Sequence, residues 1–174
     1  MKLDKFDIVN ISAAVVLAAG AVFYGVADGK TAAADGIAAA RSGRIKANPD
    51  MAPKIAAAKV LMDSGRVREA AQALKDLCRK DPFDASAHAL LGQACSRLQD
   101  YPSAVKEYRM CLALDADYVD KKSDKFIGKR INCTLGDCKP QLESELSKNP
   151  GDKQASGAMQ DVNYLERMLA GGCE

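Results

Sequence analysis

Apolar residues in this chain recur every three or four positions, the spacing that lays one stripe down the side of a helix. From Met51 to Ser64 the stripe is Ile55, Ala58 and Leu61-Met62. Gly65 interrupts it, and a second stripe runs through Val67, Ala70-Ala71, Leu74 and Leu77-Cys78. Asp81-Pro82 stops that one, because the residue before a proline is pushed out of helical geometry. The plan returns from Ala85 to Leu98, turns at Gln99-Asp100, and continues from Pro102 to Leu114. Pro102 suits a first helical turn, where a missing N–H costs nothing.

The two helix pairs echo each other at an offset of 34 residues. Leu91-Gly92, Asp100-Tyr101, Ala104, Tyr108 and Asp115 punctuate the second copy, while Ala58, Gly65, Ala70, Leu74 and Asp81-Pro82 hold the equivalent places in the first. A fixed period of this size means a stacked solenoid. On these residues the chain resembles the tetratricopeptide repeat (TPR) proteins. The resemblance implies an all-α, right-handed solenoid of helical hairpins, with the first helix of each hairpin lining a concave groove. Gly92, Ala58, Ala70 and Ala104 keep the crossings narrow, since paired helices pack about 8–10 Å apart. Some positions depart from the family pattern. Lys54 and His88 stand where an early aromatic is usual, Leu77 and Cys111 where a small residue is usual, and Ala116 replaces a proline.

Extending the period gives a degenerate third repeat over 118–150. Its expected parts are a helix from Tyr118 to Thr134, a turn at Leu135-Gly136-Asp137 and a short helix from Lys139 to Ser147. A further helix over 153–169, striped by Ala158, Val162, Leu165 and Leu169, reads as the cap that a solenoid end requires. The expected organisation is a tail (1–7), a membrane span (8–27), an Ala/Gly-rich linker (28–50) and a TPR domain (51–174) with repeats 51–84, 85–117 and 118–150.

The span rests on 20 residues, Ile8 to Ala27, that carry no charge. As a helix they would reach roughly 30 Å, the thickness of the hydrocarbon core of a bilayer. A retained single-pass anchor and a cleaved signal peptide both fit, with the length favouring the anchor. Ala14, Ala18, Ala21 and Gly25 fall on one face, where small residues let a second membrane helix approach. Lysines precede the span and basic residues follow it, so flanking charge does not orient it. Six cysteines in 174 residues suit an oxidising compartment, so the expected location is a bacterial inner membrane with the repeats in the periplasm.

Candidate chemistry is sparse. The net charge of +2 gives no general attraction to nucleic acid. No phosphate loop, paired-acid motif or haem-attachment motif is present, and the only histidine, His88, is read as filling the aromatic position. No enzyme, metal or cofactor is expected. Cys133 and Cys138 flank the expected third turn and are expected to form a disulfide, with Cys173 as a second choice of partner for Cys138. Cys78, Cys95 and Cys111 read as buried thiols. The groove is expected to present Lys59, Gln93, Arg97, Lys125 and Lys129 to a partner, the last two continuing a basic row that begins at Lys121. Ile55 and Leu90 replace the polar residues of the family's carboxylate clamp, which argues against a chaperone-tail ligand. The functional expectation is a membrane-anchored adaptor or scaffold, an accessory subunit of a membrane or envelope protein complex. The alternative is an envelope assembly factor or chaperone-like protein for secretion or cytochrome maturation.

Overall fold

A computed structural model describes residues 35–39, 42, 48 and 50–171 of the chain. Residues 35–39 are helical and belong to a first unit, Met1–Ala39. The described residues of the second unit, Ala40–Glu174, form six α-helices: α1 (Met51–Asp63), α2 (Val67–Lys80), α3 (Ala85–Arg97), α4 (Tyr101–Leu114), α5 (Gly128–Lys148) and α6 (Lys153–Gly171). No strand occurs among the described residues.

The first two hairpins repeat in detail. Helices α1 and α3 each have 13 residues, and α2 and α4 each have 14. Both hairpin turns close by the same pair of backbone bonds. In the first, the Arg66 N–H donates to Leu61 O and the Gly65 N–H to Met62 O; in the second, Asp100 donates to Cys95 O and Gln99 to Ser96 O. This motif places its pivotal residue in the left-handed region. Gly65 sits there at φ 82° without strain, whereas Gln99 sits there at φ 60° and carries the steric cost of a Cβ. Aspartates start the next helices. The Asp84 carboxylate accepts from the Ser86 and Ala87 N–H groups, and Asp100 accepts from Ser103.

The third hairpin departs from the expected register. It begins at Gly128, 43 residues after the second begins at Ala85, so nine residues beyond the period are inserted. They form a single 3-10 turn (Ala116–Tyr118) and a loop that closes where the Ile127 N–H donates to Tyr118 O. No helix runs from Tyr118 to Thr134. Nor does the chain turn at Leu135-Gly136-Asp137: α5 passes through it, with Gly136 and Pro140 inside the helix. The reason is a continuous buried stripe, Ile131, Thr134, Leu135, Cys138 and Leu142. Burying large side chains at about 1.5–3 kcal/mol each exceeds the ~1 kcal/mol for a helical glycine and ~3 for a proline. Helix α6, expected as a cap, is the second helix of this hairpin.

Each helix packs on its neighbours along the stack. One core cluster joins α1, α2 and α3, with Ala104 of α4, through Met51, Ile55, Met62, Leu74, Leu77, Leu91 and six alanines (Ala58, Ala70, Ala71, Ala87, Ala94, Ala104). The other joins α4, α5 and α6 around Tyr101, Tyr108, Tyr118, Ile131, Leu142 and Leu165. At the second crossing Gly92 faces the Tyr108 ring, which a Cβ would meet at 2.8 Å. Polar ties hold the third hairpin in place. Ser96 and Thr134 hydroxyls bond at 2.9 Å, Arg109 reaches the buried Asp161 at 2.6 Å while lying over Tyr164, and Lys139 meets Glu166 at 2.7 Å.

Among the described residues no helix is long and apolar enough to cross a membrane. The expected span, residues 8–27, with its row Ala14, Ala18, Ala21 and Gly25, lies outside the described residues.

Candidate binding groove

The first helices of the three hairpins, α1, α3 and α5, share a cavity of about 360 Å3. Lys59, Met62 and Asp63 line it from α1, and Ser86, Leu90, Gln93 and Arg97 from α3. Tyr118, Ile127 and Arg130 close the far side. Lys59 and Gln93 occupy one repeat position, as do Asp63 and Arg97, each pair being 34 residues apart. The repeat itself therefore brings Lys59, Gln93 and Arg97 together. Arg97 is further fixed because its guanidinium donates to Met62 O at 3.0 Å, a carbonyl in the last turn of α1. Three cations, Lys59, Arg97 and Arg130, stand against one carboxylate, Asp63, over an apolar floor that includes Leu90 and Ile127. That combination suits a segment carrying both acidic and apolar side chains.

Lys125 and Lys129 are placed differently from expectation, because the helix that would have aligned them with Lys121 does not form. Lys125 lies in the inserted loop and is engaged: its ammonium bonds Asp115 at 2.9 Å, which raises its pKa further. Lys129 is exposed in the first turn of α5, and neither lysine lines the cavity. Arg130, its neighbour in sequence, does.

The expected Cys133–Cys138 disulfide does not form; both are free thiols. Five residues along a continuous helix rise about 7.5 Å, beyond the Cα separation of ~7 Å that a bridge tolerates. Cys133 faces solvent while Cys138 is buried. Cys95 and Cys111 are also buried free thiols, and burial pushes Cys95 up to about 11 and Cys111 higher still. Cys173 lies outside the described residues.

His88 carries more than packing. It is 7% exposed, and its ring is held between two oxygens: Nδ1 lies 2.6 Å from Glu107 Oε2, and Nε2 donates to Pro82 O at 3.1 Å. Cys78, half-buried at the end of α2, completes a cluster in which the sulfur, one ring nitrogen and one carboxylate oxygen all lie within 4.8 Å of one another. Burial disfavours the imidazolium, but hydrogen bonding and charge from Cys78 and Glu107 outweigh it and push His88 up to about 10. The sequence does not show Glu107 beside His88 because it lies 19 positions away, on α4. The available signal was a glutamate beside the core residue Tyr108, on the flank of a buried stripe.

Residues 55–119 match the family model described as tetratricopeptide repeat, whose repeats serve protein–protein interaction. The match begins within α1, covers the rest of the first two hairpins and ends just after the 3-10 turn. No curated protein and no solved structure matches the chain.

Proposed function

We propose that this protein is a membrane-anchored adaptor whose groove, lined by Lys59, Gln93, Arg97 and Arg130, docks an acidic and partly apolar segment of a partner protein. The observation that carries the reading is the cavity common to α1, α3 and α5, with its excess of cations over an apolar floor. Nothing in the cavity assembles a nucleophile, base and oxyanion site, so the work assigned to it is binding. The uncharged stretch 8–27 supplies the anchor, and its face of Ala14, Ala18, Ala21 and Gly25 packs against another membrane helix, as expected for an accessory subunit of a membrane complex with its repeats in the periplasm. Against the assembly-factor alternative, only Val60 and Leu98 are exposed large apolar residues among those described. A holder of unfolded chains needs a broader apolar surface.

The test is photocrosslinking of the full chain in its native membranes from a probe at Gln93. A single dominant partner is expected. Lys59→Glu with Arg130→Glu should abolish the crosslink, and Lys106→Glu, on the exposed side of α4, should leave it intact. Because exposed charges are screened by salt, the loss should be steepest at low ionic strength. A crosslink indifferent to the groove variant would reject the groove. Ala18→Leu with Ala21→Leu tests the anchor separately, through retention of the complex on gentle extraction.

A further inference from the structure

We infer that Cys78, His88 and Glu107 form a binding site for a divalent transition metal of the zinc class. Three elements supply one ligand each: α2 the thiol, α3 the imidazole and α4 the carboxylate. Thiolate, imidazole and carboxylate together make a donor set that zinc accepts, and the three donor atoms already lie within 4.8 Å of one another. The ring is oriented for the role. A metal-bound histidine ordinarily donates its second N–H to a carbonyl or carboxylate, which fixes the tautomer. Here Nε2 donates to Pro82 O at 3.1 Å, which turns Nδ1 toward Glu107 Oε2 at 2.6 Å. The proton between Nδ1 and Oε2 occupies the place that the cation takes.

Ligand atoms around a tetrahedral zinc lie about 3.3–3.6 Å apart, given bond lengths near 2.0–2.3 Å. The movement needed is therefore an approach of at most about 1.2–1.5 Å at the widest pair and an opening of about 0.7 Å between Nδ1 and Oε2, now 2.6 Å apart. It falls on Cys78 and Glu107, the two members of the cluster with solvent access, while the buried His88 stays fixed. Binding displaces protons from the thiol and the imidazole. Three protein ligands leave a fourth position, reached through the exposed side of Cys78 and Glu107. The site bridges the first hairpin to the second, away from the groove.

The experiment titrates cobalt(II) into the full chain in mild detergent, after reduction and chelator treatment. A saturable thiolate-to-cobalt charge-transfer band in the near ultraviolet is expected, reversed by zinc(II). Cys78→Ser should abolish the band, and His88→Gln or Glu107→Gln should weaken binding by about 100-fold, whereas Cys133→Ser should leave it unchanged. Zinc should also raise the melting temperature of the parent and of Cys133→Ser but not of Cys78→Ser. This second readout keeps the test decisive if His88→Gln fails to fold. No saturable band, or one that survives Cys78→Ser, would overturn the site. Neither result bears on the groove, whose residues the variants do not touch.

Discussion

Glycine to alanine at two helical positions should shift stability in opposite directions. At Gly92 an added Cβ would sit 2.8 and 2.9 Å from Cδ1 and Cε1 of Tyr108. Carbon pairs prefer about 3.5–4.0 Å, and the Tyr108 ring, fully buried, has nowhere to retreat. Alanine gains up to ~1 kcal/mol of helix propensity, but overpacking of this kind costs ~1–3 kcal/mol. Two contacts under 3.0 Å on an immobile ring put the cost in the upper half of that range, about 2–3 kcal/mol, so the net expectation for Gly92→Ala is a loss of about 1–2 kcal/mol, larger for Gly92→Leu. Gly136 is also helical, yet a Cβ there would meet nothing within 4 Å. Gly136→Ala should therefore keep the propensity gain, about 1 kcal/mol. Urea denaturation followed by far-ultraviolet circular dichroism measures both, read as midpoint shifts at constant slope. A destabilised Gly136→Ala would mean that the chain turns there after all, and a neutral or stabilised Gly92→Ala would remove that glycine from the crossing.

Gln99→Gly should stabilise by about 0.5–1 kcal/mol by relieving a left-handed side-chain residue, and Gly65→Ala should cost about 1–2 kcal/mol at the matching turn; thermal melts compare the two. Arg109→Ala should destabilise by about 1–2 kcal/mol, chiefly because it strips the buried Asp161 of its partner, and Asp161→Asn in the same background should restore part of the loss. Iodoacetamide should alkylate Cys133 first among the described cysteines. Cys95 and Cys138, each held up to about 11, should remain mostly thiol and unreactive even at about pH 9, since the thiolate is the reacting form; mass spectrometry of timed samples orders the sites. Unreduced peptide maps should show no Cys133–Cys138 bridge.

What could be read in the sequence was whatever recurs. The stripes placed α1 and α3 to within one residue at their ends because burial and the turn signals agree there: Gly65 and Gln99 mark equivalent pivots although only one is glycine. The same recurrence put Lys59 level with Gln93, and Asp63 level with Arg97, in successive repeats. Reading failed where local and global preferences conflict. Gly136 and Pro140 are breakers by propensity, yet they sit on the exposed side of a stripe whose buried side decides the outcome. Lys121, Lys125 and Lys129 have helical spacing, but the Asp115 and Ser123 side chains hold Lys121 and Lys125 in a loop, and only Lys129 falls in a helix. The His88 cluster was hidden for another reason. It joins α2, α3 and α4, and no spacing rule along one helix reports which side chains three helices bring together.

The uneven filling of the two core clusters has a consequence for how the chain opens. Deleting methylenes from a buried site removes stabilisation at about 0.8 kcal/mol each, so a core in which six of thirteen buried members are alanine holds its helices less strongly than one in which three of sixteen are and three tyrosines help fill it. In a stack that contacts only neighbours, opening is a local event that starts at the weaker end and halts at a strong interface. Amide exchange should accordingly run fastest in α1 and α2, and slow sharply from α4 onward. The face of the groove that carries Lys59 then comes and goes while the rest stays folded. A partner seated across α1 and α3 would be felt first as protection of amides in α1, the helix least able to hold itself.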